Sequence, residues 1–536
     1  MLIPYYFLIT FSLIGYGYLF SRLFNLNLLN YGFLGLVGIS LLTFISYIST
    51  LFISHNYVLN LIILLIGLTN FIFLIKLDDN SKKNFIKTSI VFTILIIFIY
   101  VKKNHDDFSY YHYPYTYLLT QIEHPLGLGQ LNNGFRNHSS LFFLNSLFYL
   151  PSIGIYLLHI APVFFLGFSN LILIEFIKNK RNFSEFKFTN FFALLALSFT
   201  NIFFYRLAEH GTDRSGMILI FIIILLLISL QNLKDYKMDN NIIFFICILT
   251  SLLISLKTYY IIYIPFVLYF LIDTLRSKIL FIFKSKVFFY CSIFFFTTIF
   301  FNVINSGCLI YPATFTCFSD LPWSIEKSII VDVNEWYELW AKSGATPNFI
   351  VSDRNEYIQN FNWLPNWIDN YFFNKVSDFL FGLIILIILF YLIFRQKNKI
   401  KKTYSVKFKA LLLILFIYLI EWFLKHPALR YGGYHLIAIL SFIPISIWFN
   451  NLQINFSLFY KKVIIIFLIT ISIFLIRNSV RLHKEHEQYG KNSLINYQYN
   501  YDEKFYNRYL EEIKEKKINY KKYNILGKDF LVIINY

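Results

Sequence analysis

Cysteine is scarce in this chain, four among 536 residues, and methionine (three) and tryptophan (seven) are little commoner. Neither a histidine nor a second cysteine pair lies at ligand spacing from Cys308 and Cys317, which argues against a metal site there. There is no Gly-Lys-Ser/Thr ending to any glycine-rich stretch, so a phosphate loop is excluded. Internal repeats and Gly/Ser-rich linkers are also lacking. Short segments of alternating hydrophobicity are missing too, which excludes a β-barrel. The first apolar span, 2–20, has no basic leader and no small-residue cleavage site, and so reads as a retained helix.

Apolar residues are abundant instead: 57% of the chain is hydrophobic and 21% aromatic, with a mean hydropathy of +0.57. Apolar runs about twenty residues long can cross a hydrocarbon core of about 30 Å as helices. They recur near 2–20, 31–54, 57–75, 88–101, 153–174, 189–205, 215–231, 241–256, 258–272, 287–304, 379–394, 410–424, 434–449 and 463–476. The expectation is an all-α integral membrane protein with about 14 transmembrane helices. The apolar stretch 139–150 is too short to cross and reads as an interfacial or re-entrant helix. Phe (64) and Tyr (41) are used as AT-rich codons would use them, so the aromatic excess does not by itself mark a ligand site.

Charge gives the orientation, because Lys and Arg accumulate in short cytoplasmic loops. With the N-terminus outside, the inside segments 21–30, 76–87, 178–188, 232–240, 273–286, 395–409 and 450–462 together carry +18, the formal net charge of the whole chain. The loop 396–402 is the most basic of these. A basic balance spread over seven loops without a binding fold speaks for topology and against nucleic-acid binding. The outside loops are 102–152 and 305–378, the latter with nine acids against four bases. Residues 1–476 read as one transmembrane domain. Residues 477–536 read as a small polar, non-cytoplasmic α/β tail with a helix at 503–516 and a strand at 530–535.

Cys247 and Cys291 lie within spans and read as packing residues. Cys308 and Cys317 share an outside loop with eight residues between them, a spacing that can close a disulfide.

Four outside segments concentrate polar chemistry. Asp106 and Asp107 follow a span directly, five or six residues before His112, with Tyr110, Tyr111, Tyr113 and Pro114 around them. They are either ordinary solvated acids or a functional pair. Adjacent carboxylates repel, which raises one pKa and makes a general base available, and they can alternatively hold a divalent cation. The run Pro125 to Ser140, with Gly127, Gly129 and Gly134, makes an irregular polar segment suited to lining a cavity or the interface. The turn Arg206 to Arg214 is either a snorkelling interfacial turn or, through Asp213 at the head of the next helix, part of a site. In the last, Lys425 to Gly433, Arg430 either snorkels or offers a bidentate fork to a phosphate, beside Tyr431 and two glycines.

The order of these motifs resembles the GT-C superfamily of polyprenyl-phosphate-sugar-dependent glycosyltransferases, and more closely a group of bacterial membrane proteins with that fold. The likeness is carried by Asp107-x-x-x-Tyr111-His112-x-Pro114, Gly127-x-Gly129 with Asn137-x-Ser139-Ser140, and Gly211-x-Asp213. It continues in Ser306-Gly307 to Tyr311-Pro312 with Leu321-Pro322-Trp323, and in Pro427-x-x-Arg430-Tyr431. It spans roughly 100–435. The resemblance implies transfer of a sugar to a cell-envelope glycan, lipid or protein acceptor at the periplasmic or extracellular face of a bacterial inner (plasma) membrane. Asp107 would act as general base. Asp106 or Asp213 would orient the acceptor or hold a divalent cation, and no other cofactor is implied. Arg430, with Arg214 or His112, would stabilise the leaving phosphate, and Tyr111 and Tyr431 would contact substrate. The alternatives are a transporter or flippase of lipid-linked glycans, or a polymerase of them.

Overall fold

A computed structural model describes residues 1–27, 30–77, 80–101, 107–208, 211–232, 240–275, 279–345, 351–395, 408–489, 511, 513, 520–525 and 528–534. Among the described residues the chain is all-α apart from one C-terminal hairpin. Among the described residues ten helices are long and apolar enough to cross a membrane, the make-up of a multi-pass membrane protein. Each of the fourteen predicted spans overlaps helix, at differing bounds, but not each is a helix of spanning length. Phe188–Phe203, Asn241–Leu256 and Thr258–Ile272 are shorter than the ten. Phe408–Lys425 carries Lys409, Glu421 and Lys425 within its length.

Several boundaries differ from the sequence reading. The predicted span 153–174 begins as a helix only at Ala161. Ser152 and Gly154 take positive φ, which breaks an apolar run into turns that hydropathy does not register. The last helix continues to Tyr489, well past the apolar stretch. The 139–150 segment contains a short helix, Ser140–Ser146, whose residues are all buried in protein.

Two compact units emerge from the chain, and they do not part at 476/477. The first comprises Met1–Ile172, Tyr205–Lys327 and Leu475–Tyr536; the second comprises Leu173–Phe204 and Ser328–Phe474. In the first unit the helices Leu2–Leu23, Tyr31–Thr50 and Tyr57–Leu77 meet through small residues. A Cβ on Gly17 would fall 1.8 Å from the Leu34 carbonyl oxygen, and one on Gly15 would fall 1.9 Å from that of Gly67. Close backbone approach of this kind is how helices associate where apolar burial gives no driving force. On the other face of the Tyr57–Leu77 helix, Val58, Ile62, Leu65, Ile72 and Phe73 are exposed, an outward apolar surface suited to lipid.

The C-terminal strands Tyr520–Ile525 and Lys528–Ile533 pair antiparallel, with Lys521 opposite Val532. The second strand also hydrogen-bonds Leu126: Leu126 N–H donates to the Leu531 carbonyl and Ile533 N–H to the Leu126 carbonyl, both at 2.9 Å. The tail is thus joined to the 102–152 loop within the first unit. The predicted 503–516 helix and the basic 396–402 loop lie outside the described residues, apart from helical Glu511 and Ile513.

The second unit is packed largely by aromatic rings. Phe191 stacks on Phe449 at 4.8 Å and Phe188 on Phe408 at 4.8 Å. Thr470 donates to Ser198 at 3.1 Å. Its Lys327–Lys342 helix precedes two short helices, Arg354–Ile358 and Leu364–Trp367, before the apolar Ser377–Phe394 helix.

Candidate functional site

In the first unit Asp107 heads a wide helical turn, Phe108–His112, that runs directly into the helix Tyr113–Gln121. Pro114 sits in the first turn of that helix, where its missing N–H costs nothing. A carboxylate at this end is favoured by the helix dipole. Asp107 is half-buried, and Asp106 lies outside the described residues.

The glycine- and amide-rich segment wraps this turn. Asn132 Nδ2 donates to the Tyr110 carbonyl at 3.2 Å, and a Cβ on Gly134 would lie 2.4 Å from the Tyr111 ring. Only glycine lets the segment approach that closely. The Tyr111 and His112 rings meet edge-on at 4.4 Å, and the buried His112 ring lies 5.0 Å from that of Phe142. Farther along, Gly127 N–H donates to the Ile304 carbonyl at 2.6 Å. Gln130 Nε2 donates to the Trp323 and Ser324 carbonyls, each at 3.0 Å. Cys308 and Cys317, in the same unit, are joined by a disulfide of S–S length 2.10 Å.

The head of the Gly211–Asn232 helix packs on the same short helix that carries Phe142. Leu141, next to Phe142, would be 2.9 Å from a Cβ on Gly211. Asp213 is 4% exposed and Arg214 8%, and Lys257 Nζ forms an ion pair with Asp213 Oδ1. Lys257 adopts an extended backbone (φ −152°, ψ 124°) between the helix ending at Leu256 and the turn Thr258–Ile262, and this break places the lysine at the seam. Tyr260 OH donates to the Asp213 carbonyl at 3.4 Å. Ion pairs at this depth are costly to desolvate and are retained where geometry or function demands them.

A buried polar network continues from Lys257. Its neighbour Thr258 accepts from Asn302 Nδ2 at 3.0 Å, and His138 lies 3.2 Å from Tyr47 OH. Asn305 Nδ2 donates to Tyr115 OH at 3.0 Å, which is 2.9 Å from His124 Nε2. His55 bridges Ser146 and Ser49 at 2.6 and 2.9 Å. Burial pushes His124 down to about 3, the nearby His138 and His55 adding to the effect. It holds His138 at about 4, against a hydrogen bond donated to Asn302 that opposes the shift. His55 is likewise pushed down to about 3 by burial. All three are neutral near pH 7.

In the second unit the 427–433 turn is pinned by aromatic donors and acceptors. Trp367 Nε1 donates to the Pro427 carbonyl at 3.1 Å and Trp422 Nε1 to that of Ala428 at 2.9 Å. Leu429 N–H donates to Tyr371 OH at 2.9 Å. Gly432 has φ +151°, a conformation L side chains rarely adopt. The half-buried Arg430 guanidinium lies over Trp340 at 5.2 Å and over Tyr431 at 5.4 Å. Glu338, one turn before Lys342, is bound by Lys342 Nζ at 2.5 Å and Lys425 Nζ at 3.6 Å. Burial lowers the pKa of His426, against the opposing pull of Glu338.

The predicted residues therefore fall into two sets: Asp107, Tyr111, His112, Asp213, Arg214 and the disulfide in the first unit, and Arg430 with Tyr431 in the second. Sequence reasoning overlooked Lys257, although it is the sole charged residue between 241 and 272. It also overlooked the three histidines and Trp340, single residues that no local pattern marks. Among the described residues no three His, Cys, Asp or Glu side chains are grouped to hold a metal ion.

These features define an all-α protein with buried charge at helix ends in an otherwise apolar bundle. A family model described as a domain of unknown function, DUF8201, matches residues 1–437, and the chain belongs to that family. No curated protein and no solved structure matches it.

Proposed function

We propose that this protein is a bacterial inner-membrane glycosyltransferase of the GT-C type, crossing the bilayer with about fourteen helices. It moves a sugar from a polyprenyl-phosphate donor to a cell-envelope acceptor at the non-cytoplasmic face. The observation that carries the reading is the buried Asp213–Lys257 pair with Arg214, at the head of a helix that packs on Leu141, the neighbour of the Phe142 ring that meets His112. Charge held at the mouths of apolar helices is expensive and calls for a function there.

Contacts between span ends support the alternation on which the orientation rests. Ends assigned inside meet one another: Asn27 N–H donates to Oδ1 of Asn241, the first residue of the 241–256 span, and Phe188 N–H to Asn450 Oδ1. Ends assigned outside do the same: His55 N–H donates to the Leu119 carbonyl, and His124 N–H to that of Thr50, the last residue of the Tyr31–Thr50 helix.

In the reaction Asp107 accepts the proton of an acceptor hydroxyl. The freed oxygen attacks the anomeric carbon, and the bond from that carbon to polyprenyl phosphate breaks, the phosphate leaving with the electron pair. Arg214 and His112 are the first unit's candidates for stabilising that phosphate, and Asp213 orients the acceptor. The second unit supports the reading independently, since Arg430 has the planar fork suited to phosphate.

The test is Asp107→Asn at unchanged membrane abundance, followed by surface-glycan profiling. Loss of a glycan is expected, and an unaltered profile removes Asp107 as the base. In a deletion strain, lipid-linked intermediates held on the cytoplasmic leaflet would favour a flippase instead, and shortened chains a polymerase.

A further inference from the structure

The Lys286–Ser306 helix exposes Phe289, Ile293, Phe296 and Phe300, spaced at four, three and four residues, which puts them in one stripe along its length. Phe289 is 68% exposed and Phe296 67%. Just past the helix end the chain folds into the loop closed by Cys308–Cys317, and there the apolar exposure continues in Leu309, Phe315 and Phe318. Phe315 is 91% exposed, the highest value among the exposed large hydrophobic side chains described. Between 307 and 325 the chain has one charged residue, Asp320.

The base of this loop is fixed. Phe318 N–H donates to the Gly307 carbonyl at 2.8 Å and Leu309 N–H to that of Thr316 at 3.0 Å. Trp323 Nε1 donates to the Val303 carbonyl at 2.8 Å, so a half-buried indole lies against the last turn of the striped helix. A rigid, nearly uncharged finger with a bare phenylalanine at its tip is costly in water. Trp323 at the end of an apolar stripe matches the belt of a membrane interface, and the wholly apolar rings of Phe315 and Phe318 suit the acyl region beside it.

We propose that the 308–317 finger is an anchor into the outer leaflet, with Phe315 inserted among the acyl chains next to the lipid-facing stripe. The proposal rests on the reading that the chain spans the bilayer. It commits to lipid as the occupant because the exposed apolar surface runs on from the Phe289–Phe300 stripe of a helix long and apolar enough to cross a bilayer.

The test uses the full chain with Phe315→Trp, reconstituted in vesicles of phosphatidylethanolamine and phosphatidylglycerol with or without brominated acyl chains. Wild type supplies the background to be subtracted. The added tryptophan is expected to emit at short wavelength, to lose emission to the brominated lipids and to resist acrylamide. Quenching by acrylamide alone would put the finger in water, and shielding from both quenchers would put it under a second copy or another protein; either result overturns the proposal. Alkaline extraction of the same vesicles separates the two claims. A chain that stays in the membrane without lipid quenching of Trp emission refutes the anchor alone, whereas a chain that is extracted refutes the spanning reading.

Discussion

In the first unit Asp213 is buried against Lys257 at the head of one helix and the end of another, while in the second Arg430 lies half-buried across the faces of Trp340 and Tyr431. The first arrangement holds a carboxylate by giving it a cation in a desolvated setting, so either partner alone is a liability. The second holds a cation against ring faces, which attract it through their quadrupoles. Nearby Glu338 is engaged by Lys342 and Lys425. A charge fixed by a counter-charge suits a positioning role, and one fixed by aromatic faces suits reception of an anion.

The largest test of this contrast is Lys257→Met. Removing this cation from the buried Asp213 should destabilise the folded protein by about 3 kcal/mol, at the low end for a buried pair because Lys257 is partly exposed. Thermal unfolding in detergent measures the loss, and Asp213→Asn added to Lys257→Met should recover most of it. If the single and double variants unfold alike, the pair does not hold this site.

Next comes pH. His55, His124 and His138 have folded-state values of about 3, 3 and 4, below the roughly 6.5 of an unfolded chain. The unfolded state therefore takes up protons first. The stability these histidines give is complete above about pH 6.5 and falls as pH drops toward the folded values. Going from about pH 7 to about pH 5 should cost on the order of 1–2 kcal/mol per histidine. His124→Gln should make the decline of the unfolding temperature shallower. An unfolding temperature that stays flat across that range would mean the histidines are not held neutral.

The smallest effect is expected in the second unit. Trp340→Leu removes one ring face from Arg430, worth about 1 kcal/mol, or roughly fivefold weaker binding of a short-chain polyprenyl phosphate by calorimetry. Unchanged affinity would leave the ring without a part in anion binding.

Much of this architecture was legible in the sequence, for a simple reason. A helix in an apolar solvent must satisfy its backbone internally, and the long apolar run that results is hard to miss. Turns inside such runs are not legible. The residues 153–160 are apolar except for His159, yet the positive φ at Ser152 and Gly154 delays the helix to Ala161. Long-range pairing is equally hidden, and nothing in residues 528–533 announces Leu126 as their partner. Asp213 could be singled out because it opens a helix, and Lys257 could have been, as a lone charge in an apolar stretch. His55, His124 and His138 become a group only when three separate segments fold together.

The central claim is that a sugar is transferred with Asp107 as base, and reconstitution tests it most directly. Proteoliposomes are loaded with a radiolabelled polyprenyl-phosphate sugar and a cell-envelope glycan extract, and label in the acceptor is measured for wild type and Asp107→Asn. Transfer by wild type, reduced by about 10² to 10⁴ in Asp107→Asn, is the predicted result. Equal transfer by both, or label that crosses the bilayer while still attached to its lipid, would contradict the claim.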